Sequence, residues 1–276
     1  MKFIPPLTAA ALLLAAPLSA QETLHTAVDP NFAPHASMTL SGELEGFQLD
    51  LGDALAEQLG VTIDVAGVNF VGIIPGMNAG TYDFILAPVT ANAERAENML
   101  FTEGYIYTGL EFGHKSGTPD LTSLDDLAGK TVAVNKGSNY DQWAQENAEK
   151  YGFSALTLDS FTSATDAVVT GRADYQLGGT STIKYAALKV PSFEPGFVMT
   201  DTRSHWSLAV AKDNVEMRDR LETAIECLKL SGKIADISEK WFGVAPGADD
   251  AENIVFAGFG VPGLANYDDT DHTPDC

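Results

Sequence analysis

The sequence predicts an α/β protein of two tandem lobes with a cleft between them. Strand-like and helix-like segments alternate, the pattern of a parallel sheet covered by helices, and the alternation stops at a connecting stretch and begins again. Length agrees, because the roughly 256 residues that follow an export-type leader exceed one average domain.

That leader occupies residues 1–20. Lys2 supplies a positive start, Leu7 to Ala16 an apolar stretch, and Pro17-Leu18-Ser19-Ala20 a small-residue end. This is the grammar of a cleavable secretory signal, too short to span a bilayer. The mature protein is therefore expected in the periplasm, and no later stretch approaches the roughly 18 apolar residues of a membrane span.

In the first half, Thr23 to Val28 reads as a strand. Gly46 to Leu59 reads as a helix, with apolar residues at Phe47, Leu49, Leu51, Leu55 and Leu59 and Gly60 as its stop. Val61 to Val65 is the next strand, Phe70 to Asn78 a helix despite Pro75, and Asp83 to Val89 a short apolar strand. The second half repeats the order. Leu121 to Leu127 is a short helix, Thr131 to Asn135 a strand, Asp141 to Tyr151 a helix, Leu156 to Leu158 a strand, Ser163 to Thr170 a helix and Asp174 to Leu177 a strand. After Trp206 come a strand at Ser207 to Ala211 and helices at Glu216 to Leu230 and Ile234 to Trp241. Residues 243–276, rich in Gly, Pro, Asp and Asn, read as an irregular extension packed on one lobe.

Composition narrows the partners. A formal charge of −22 repels a phosphate backbone, so nucleic acid and anionic membrane surfaces are excluded as partners. The two cysteines, Cys227 and Cys276, are expected to pair as a disulfide in an oxidising compartment, a metal site being the alternative. Closing that loop stabilises by on the order of 4 kcal/mol in the chain-entropy model, and its work would be to tie down the tail.

Six stretches, in order, then carry a resemblance. They are DPNFAP at 29–34, GELEGFQLDLGDALAEQLG at 42–60, APVTANAERAENMLFTEGY at 87–105, SLDDLAGKTVAVNKGS at 123–138, TGRADY at 170–175 and SGKIADISEKWFG at 231–243. Together they resemble the bacterial extracellular solute-binding proteins of the polar amino-acid type, family 3, over roughly residues 23 to 243. The resemblance implies the two-lobed type II periplasmic-binding-protein fold. Lobe 1 would be discontinuous (21–110 and 205–243), lobe 2 would be 111–204, and 244–276 would follow as the extension. Strands near Tyr107 to Phe112 and Met199 to Ser204 would form the hinge. It also implies a monomer that closes on a small-molecule ligand and delivers it to the membrane permease of an ABC importer, with no catalysis and no cofactor.

The resemblance further implies a ligand site. Arg95, five residues after Thr90, falls at the spacing of the family's carboxylate-binding arginine, and a guanidinium presents two parallel donors to a carboxylate. Thr90 would add a hydroxyl or backbone N–H. Ser138 and Asn139 resemble the family's loop at a helix N-terminus, where backbone donors favour anions; Ser138 can equally be the helix cap. Tyr140 is a candidate wall. Phe32 and Phe70 align with rings that sandwich the ligand, or are core residues. Asp29 aligns with a contact to the ligand's polar end, or caps a turn before Pro30, and Trp206 could line the cleft. The departure is at Gly179, where the family places an aspartate that pairs with the ligand's α-ammonium. Asp29 or Thr180 would then have to take its part, or the ligand has no ordinary α-amino group.

Other motifs fail on context. GFGVPG at 258–263 fits a dinucleotide-binding string but lies in the irregular tail and opens no helix. The histidines show no metal-ligand spacing, and no G-x-S-x-G arrangement occurs. Two further classes compete on the same fold. A dehydratase of the cyclohexadienyl type would need an acid in the cleft, for which Glu103 and Glu111 are the nearest candidates. The other is the sensory domain of a membrane receptor.

Overall fold

A computed structural model describes residues 21–276, and the leader expected at 1–20 lies outside the described residues. In chain order the elements are β1 (Thr23–Val28), β2 (Asn31–Phe32), β3 (Ala36–Met38), β4 (Leu44–Glu45), α1 (Phe47–Leu59), β5 (Thr62–Gly67), α2 (Phe70–Asn78), β6 (Ile85–Thr90), α3 (Ala93–Ala96) and β7 (Met99–Phe101). Then come β8 (Ile106–Lys115), β9 (Thr131–Asn135), α4 (Asn139–Tyr151), β10 (Ser154–Leu158), α5 (Phe161–Val169), β11 (Tyr175–Gly179), α6 (Thr180–Lys189), β12 (Phe193–Ala211), α7 (Val215–Leu230) and α8 (Lys233–Phe242).

The chain builds two α/β lobes. In the first, β1 pairs in parallel with β5. On its other side the Thr26 hydroxyl bridges it to β6, donating to Phe84 O and accepting from Leu86 N. Helix α1 covers this lobe because Phe47, Leu51 and Leu55 recur on one face and are fully buried. Gly60 ends it in the left-handed conformation (φ 68°), its N–H reaching back to Ala56 O and Glu57 O. The second lobe orders its strands β10-β9-β11-β8, with β10, β9 and β11 parallel and β8 antiparallel. Strands β8 and β12 join the lobes. β12 pairs with β8 along its first part and with β6 and β7 along its last. Both segments expected to form the hinge lie in these two strands, and the β12–β8 register shifts between Met199 and Ser204. There Thr202 Oγ donates to Met199 O and accepts from Leu110 N, satisfying backbone that the ladder leaves unpaired.

Besides the short β2, β3, β4, α3 and β7, which were not expected, three elements depart from the expectations. Leu121 to Leu127 yields only a 3-10 turn at Leu124–Leu127, closed by a capping box between Ser123 and Asp126. Helix α6 was not expected, because it opens T-S-T-I, residues of poor helix propensity, and only its packing against β12, β8 and β11 overrides that preference. β12 is one strand of 19 residues rather than two short ones.

The extension after Gly243 has no helix or strand beyond a single bridge between Phe259 and Asp268. It packs on the first lobe. Cys227 and Cys276 are bonded, with Cα atoms 5.5 Å apart. Asn266 donates to Ala96 O at 2.7 Å, and Phe256 N and Gly260 N donate to Glu103 and Glu222 at 2.7 and 2.9 Å. Beneath the tail, Lys229 is fully buried 2.6 Å from Glu103 Oε1 and donates to Gly104 O and Ile254 O.

Candidate ligand-binding site

Between the lobes the described residues line a narrow, partly open cavity. Its walls come from strand ends and helix starts, the places where an open α/β sheet leaves a crevice. The first lobe supplies Asp29 from the end of β1, Phe32 from β2, Phe70 from the start of α2, Pro88 and Thr90 from β6, and Arg95 from α3. Asn135 at the end of β9 and Ser138, Asn139 and Tyr140 at the start of α4 come from the second, with Trp206 from β12.

Arg95 is partly buried, and desolvation lowers its guanidinium to about 10. Its nitrogens donate to the carbonyls of Thr90 (3.2 Å) and, across the cleft, Gly137 (3.3 Å), while its plane lies 5.8 Å from the Phe70 ring. No carboxylate among the described residues forms a salt bridge with it. Thr90 Oγ accepts the Trp206 indole N–H at 3.1 Å, so its own proton is free to donate into the cavity. The backbone N–H groups of Asn139 and Tyr140, at the positive end of α4, have no protein acceptor among the described residues. Donors from both lobes thus converge on a part of the cavity where no protein carboxylate pairs with them.

Asp29 is the one carboxylate in the wall. Burial raises its pKa against the pull of three donors: Asn31 N (2.9 Å), Asn31 Nδ2 (3.3 Å) and Phe70 N (3.0 Å). The aromatic side is rigid. Trp206 is 1% exposed, Phe32 meets it edge-on at 6.1 Å, and His35, lowered by burial to about 3 and so neutral, stands against it at 4.4 Å. The lobes touch across the cleft through Thr162 to Asn31 O (3.2 Å), His35 to Ser181 (3.2 Å) and Asn92 to Asn139 (3.3 Å). The two walls of the cleft are thus in direct contact.

Against known proteins, the family model for bacterial extracellular solute-binding proteins, family 3, matches residues 24–244. The chain belongs to that family. This family 3 protein is 28% identical over 231 residues to an L-arginine-binding protein of Pseudomonas aeruginosa, covering 81% of this chain and 89% of the relative. It is 26% identical over 226 residues to the L-cystine-binding protein TcyJ of Escherichia coli (80% and 83% covered). Among solved structures, an ancestral arginine-binding protein bound to arginine superposes with a TM-score of 0.77 at 29% identity, covering 81% of this chain and 99% of that one.

Eight of the ten residues expected in the site of this family 3 protein line the one cavity: Asp29, Phe32, Phe70, Thr90, Arg95, Ser138, Asn139 and Tyr140. Gly179 and Thr180 do not. Gly179 lies behind Tyr140 and Trp206, and Thr180 opens α6 with its methyl toward Gly109. Ser138 is spent on structure: its hydroxyl donates to Asn135 O at 2.6 Å and accepts from Asp141 N at 3.1 Å, the bond of a helix cap. Glu103 and Glu111 lie outside the cavity wall, the first under the tail against Lys229 and the second on β8, where burial raises it to about 7. Asn135 and Pro88 were not foreseen. Asn135 is 3% exposed and its side-chain Oδ1 has no partner among the described residues. A polar residue closing the apolar strand Thr131–Asn135 was the available signal.

Proposed function

We propose that this protein is the exported receptor of an ABC importer, and that it captures a small carboxylate-bearing solute, an amino acid or amino-acid derivative, between its lobes. The observation that carries the reading is Arg95. A guanidinium withdrawn from water without a carboxylate partner is costly unless something else supplies the negative charge, and Arg95 shares its cavity with the free Thr90 hydroxyl and the start of α4. A ligand carboxylate fits that set, as the bidentate geometry of Arg favours. Relatives named for arginine and cystine binding support the same class of solute.

The mechanism is capture and closure. The lobe of 21–110 and 205–243 would hold the carboxylate first, and the lobe of 111–204 would close over it by rotation about β8 and β12, leaving 244–276 as the extension. Only the closed form unites the donors of both lobes, so ligand stabilises that form and a membrane permease reads it. Residues 1–20 would direct export to the periplasm, and the receptor would act as a monomer.

Calorimetry and thermal unfolding on ligand-stripped protein test this. A bound carboxylate at 100 times its Kd should add about 2.7 kcal/mol to stability. Failure of every amino acid and carboxylate derivative to shift unfolding would overturn the proposal. Arogenate and prephenate added to the same preparation should show no turnover, because neither Glu103 nor Glu111 reaches the cavity and Asp29, the carboxyl that does, is engaged by three protein donors; product formation would place the protein among the dehydratases instead.

A further inference from the structure

Gly179 stands where the family resemblance leads one to expect an acidic partner for an α-ammonium. The structure shows why no side chain occupies that place. A Cβ built on Gly179 would lie 2.8 Å from Tyr140 Oη and 3.1 Å from Trp206 Cζ2. Both rings are fixed. Tyr140 is 4% exposed with its hydroxyl against the Gly179 backbone and Thr182, and Trp206 is held by its bond to Thr90. The seat of the missing carboxylate is filled with aromatic surface.

The remaining wall makes a poor host for a primary ammonium. Such a group carries three N–H donors and needs acceptors for them. Asp29 already receives three protein donors, and the unpartnered amide oxygen of Asn135 is a further acceptor in the wall. What the wall does offer is ring surface from Phe32, Phe70, Tyr140 and Trp206, with the Asp29 charge beside it. Ring faces attract cations, and a cation without N–H groups leaves no donor unpaired.

We infer that the cavity selects carboxylates whose nitrogen is N-alkylated, quaternary or nearly so, over the parent α-amino acids, the rings of Phe32, Tyr140 and Trp206 with Asp29 taking the cationic end while Arg95 takes the carboxylate. The inference rests on the carboxylate-receptor reading above and names the solute class within it.

The test is calorimetric titration of ligand-stripped protein with matched sets: the common α-amino acids, their N-trimethyl derivatives, and for glycine betaine its uncharged carbon isostere, 3,3-dimethylbutyrate. At least one N-trimethyl compound should bind about tenfold or more tighter than both its parent amino acid and, for glycine betaine, the isostere. Phe32→Leu should weaken that compound by about five- to tenfold while changing the isostere by less than twofold, a loss of cation attraction rather than of shape. Parent amino acids binding as tightly as, or more tightly than, their N-trimethyl forms would overturn the inference and leave the carboxylate reading standing. Isostere and betaine binding equally would also overturn it. No binding by any carboxylate would remove both.

Discussion

Two cations, one buried and one partly buried, divide this molecule into what it keeps for itself and what it holds for another. Lys229, on α7 beneath the C-terminal tail, is met by Glu103 at 2.6 Å and by the carbonyls of Gly104 and Ile254, with Glu222 and Glu252 adding attraction. Arg95, in the cleft, has carbonyls at 3.2 and 3.3 Å and no carboxylate. Desolvation lowers the pKa of both, but only the lysine has neighbours that repay it within the chain. The acids differ in place rather than in partners: Glu222 and Asp29 each accept two backbone N–H groups, but Glu222 takes one of them from the tail whereas Asp29 lines the cavity. A cation paired with a carboxylate of its own fold is architecture; a cation at the cleft without one is a seat.

The comparison breaks most visibly at Lys229. Lys229→Met removes the cation and leaves Glu103 buried alone, so equilibrium unfolding in denaturant should show a loss of about 3–5 kcal/mol. Solute affinity of the remaining folded protein should stay within about twofold. A variant as stable as the parent would mean that the pair contributes nothing to holding the tail.

Arg95→Met should do the reverse. Ligand affinity should fall by about 2–5 kcal/mol, at least thirtyfold in Kd by titration, as for truncating one side of a buried charged pair. Unliganded stability should be unchanged or higher, because an uncompensated charge leaves the protein interior. Lower stability with intact affinity would make Arg95 an architectural residue like Lys229.

A pH series sharpens the contrast. Burial raises Glu222 to about 8, against an ordinary carboxyl near 4.5, so the folded state holds a proton that the unfolded chain has released. Between those values the unfolded state binds fewer protons, and stability falls as pH rises, by up to about 1.4 kcal/mol per pH unit from this group. Glu103, Glu226 and Glu252, also raised, act in the same direction, and Lys229, lowered, acts in the opposite one where it titrates. Glu222→Gln should flatten the decline between about pH 5 and 8 in unfolding measurements. An unchanged slope would place the proton elsewhere.

Much of this site was legible because its residues are read locally. Thr90 and Arg95 keep a fixed spacing in one strand-to-helix turn, and Ser138 to Tyr140 follow a strand and open a helix. Burial partners were not legible, because they come from distant parts of the chain. Glu103 looked like a candidate acid in sequence, and only the arrival of Lys229 and Phe256 N, more than a hundred residues away, turns it into a structural ion. Gly179 was visible as a gap, but the Tyr140 and Trp206 rings that fill it could not be foreseen. Helix α6 hid behind weak propensity for the same reason: its stability comes from packing.

Ser138 gives the smallest and most discriminating effect. Sequence left it open between capping α4 and binding the ligand, and the structure uses up both its proton and a lone pair inside the chain, on Asn135 O and Asp141 N. Ser138→Ala should therefore cost about 1 kcal/mol of stability, the ordinary loss of a helix cap, measured by denaturant unfolding. Affinity for the bound carboxylate should change by less than about twofold, because the groups left free to meet an anion at this helix start are the backbone N–H groups of Asn139 and Tyr140, which the substitution leaves in place. A loss of about tenfold in affinity with stability intact would show that the hydroxyl turns from Asn135 O to the ligand on binding, and Ser138 would then stand with Arg95 among the groups kept for the solute.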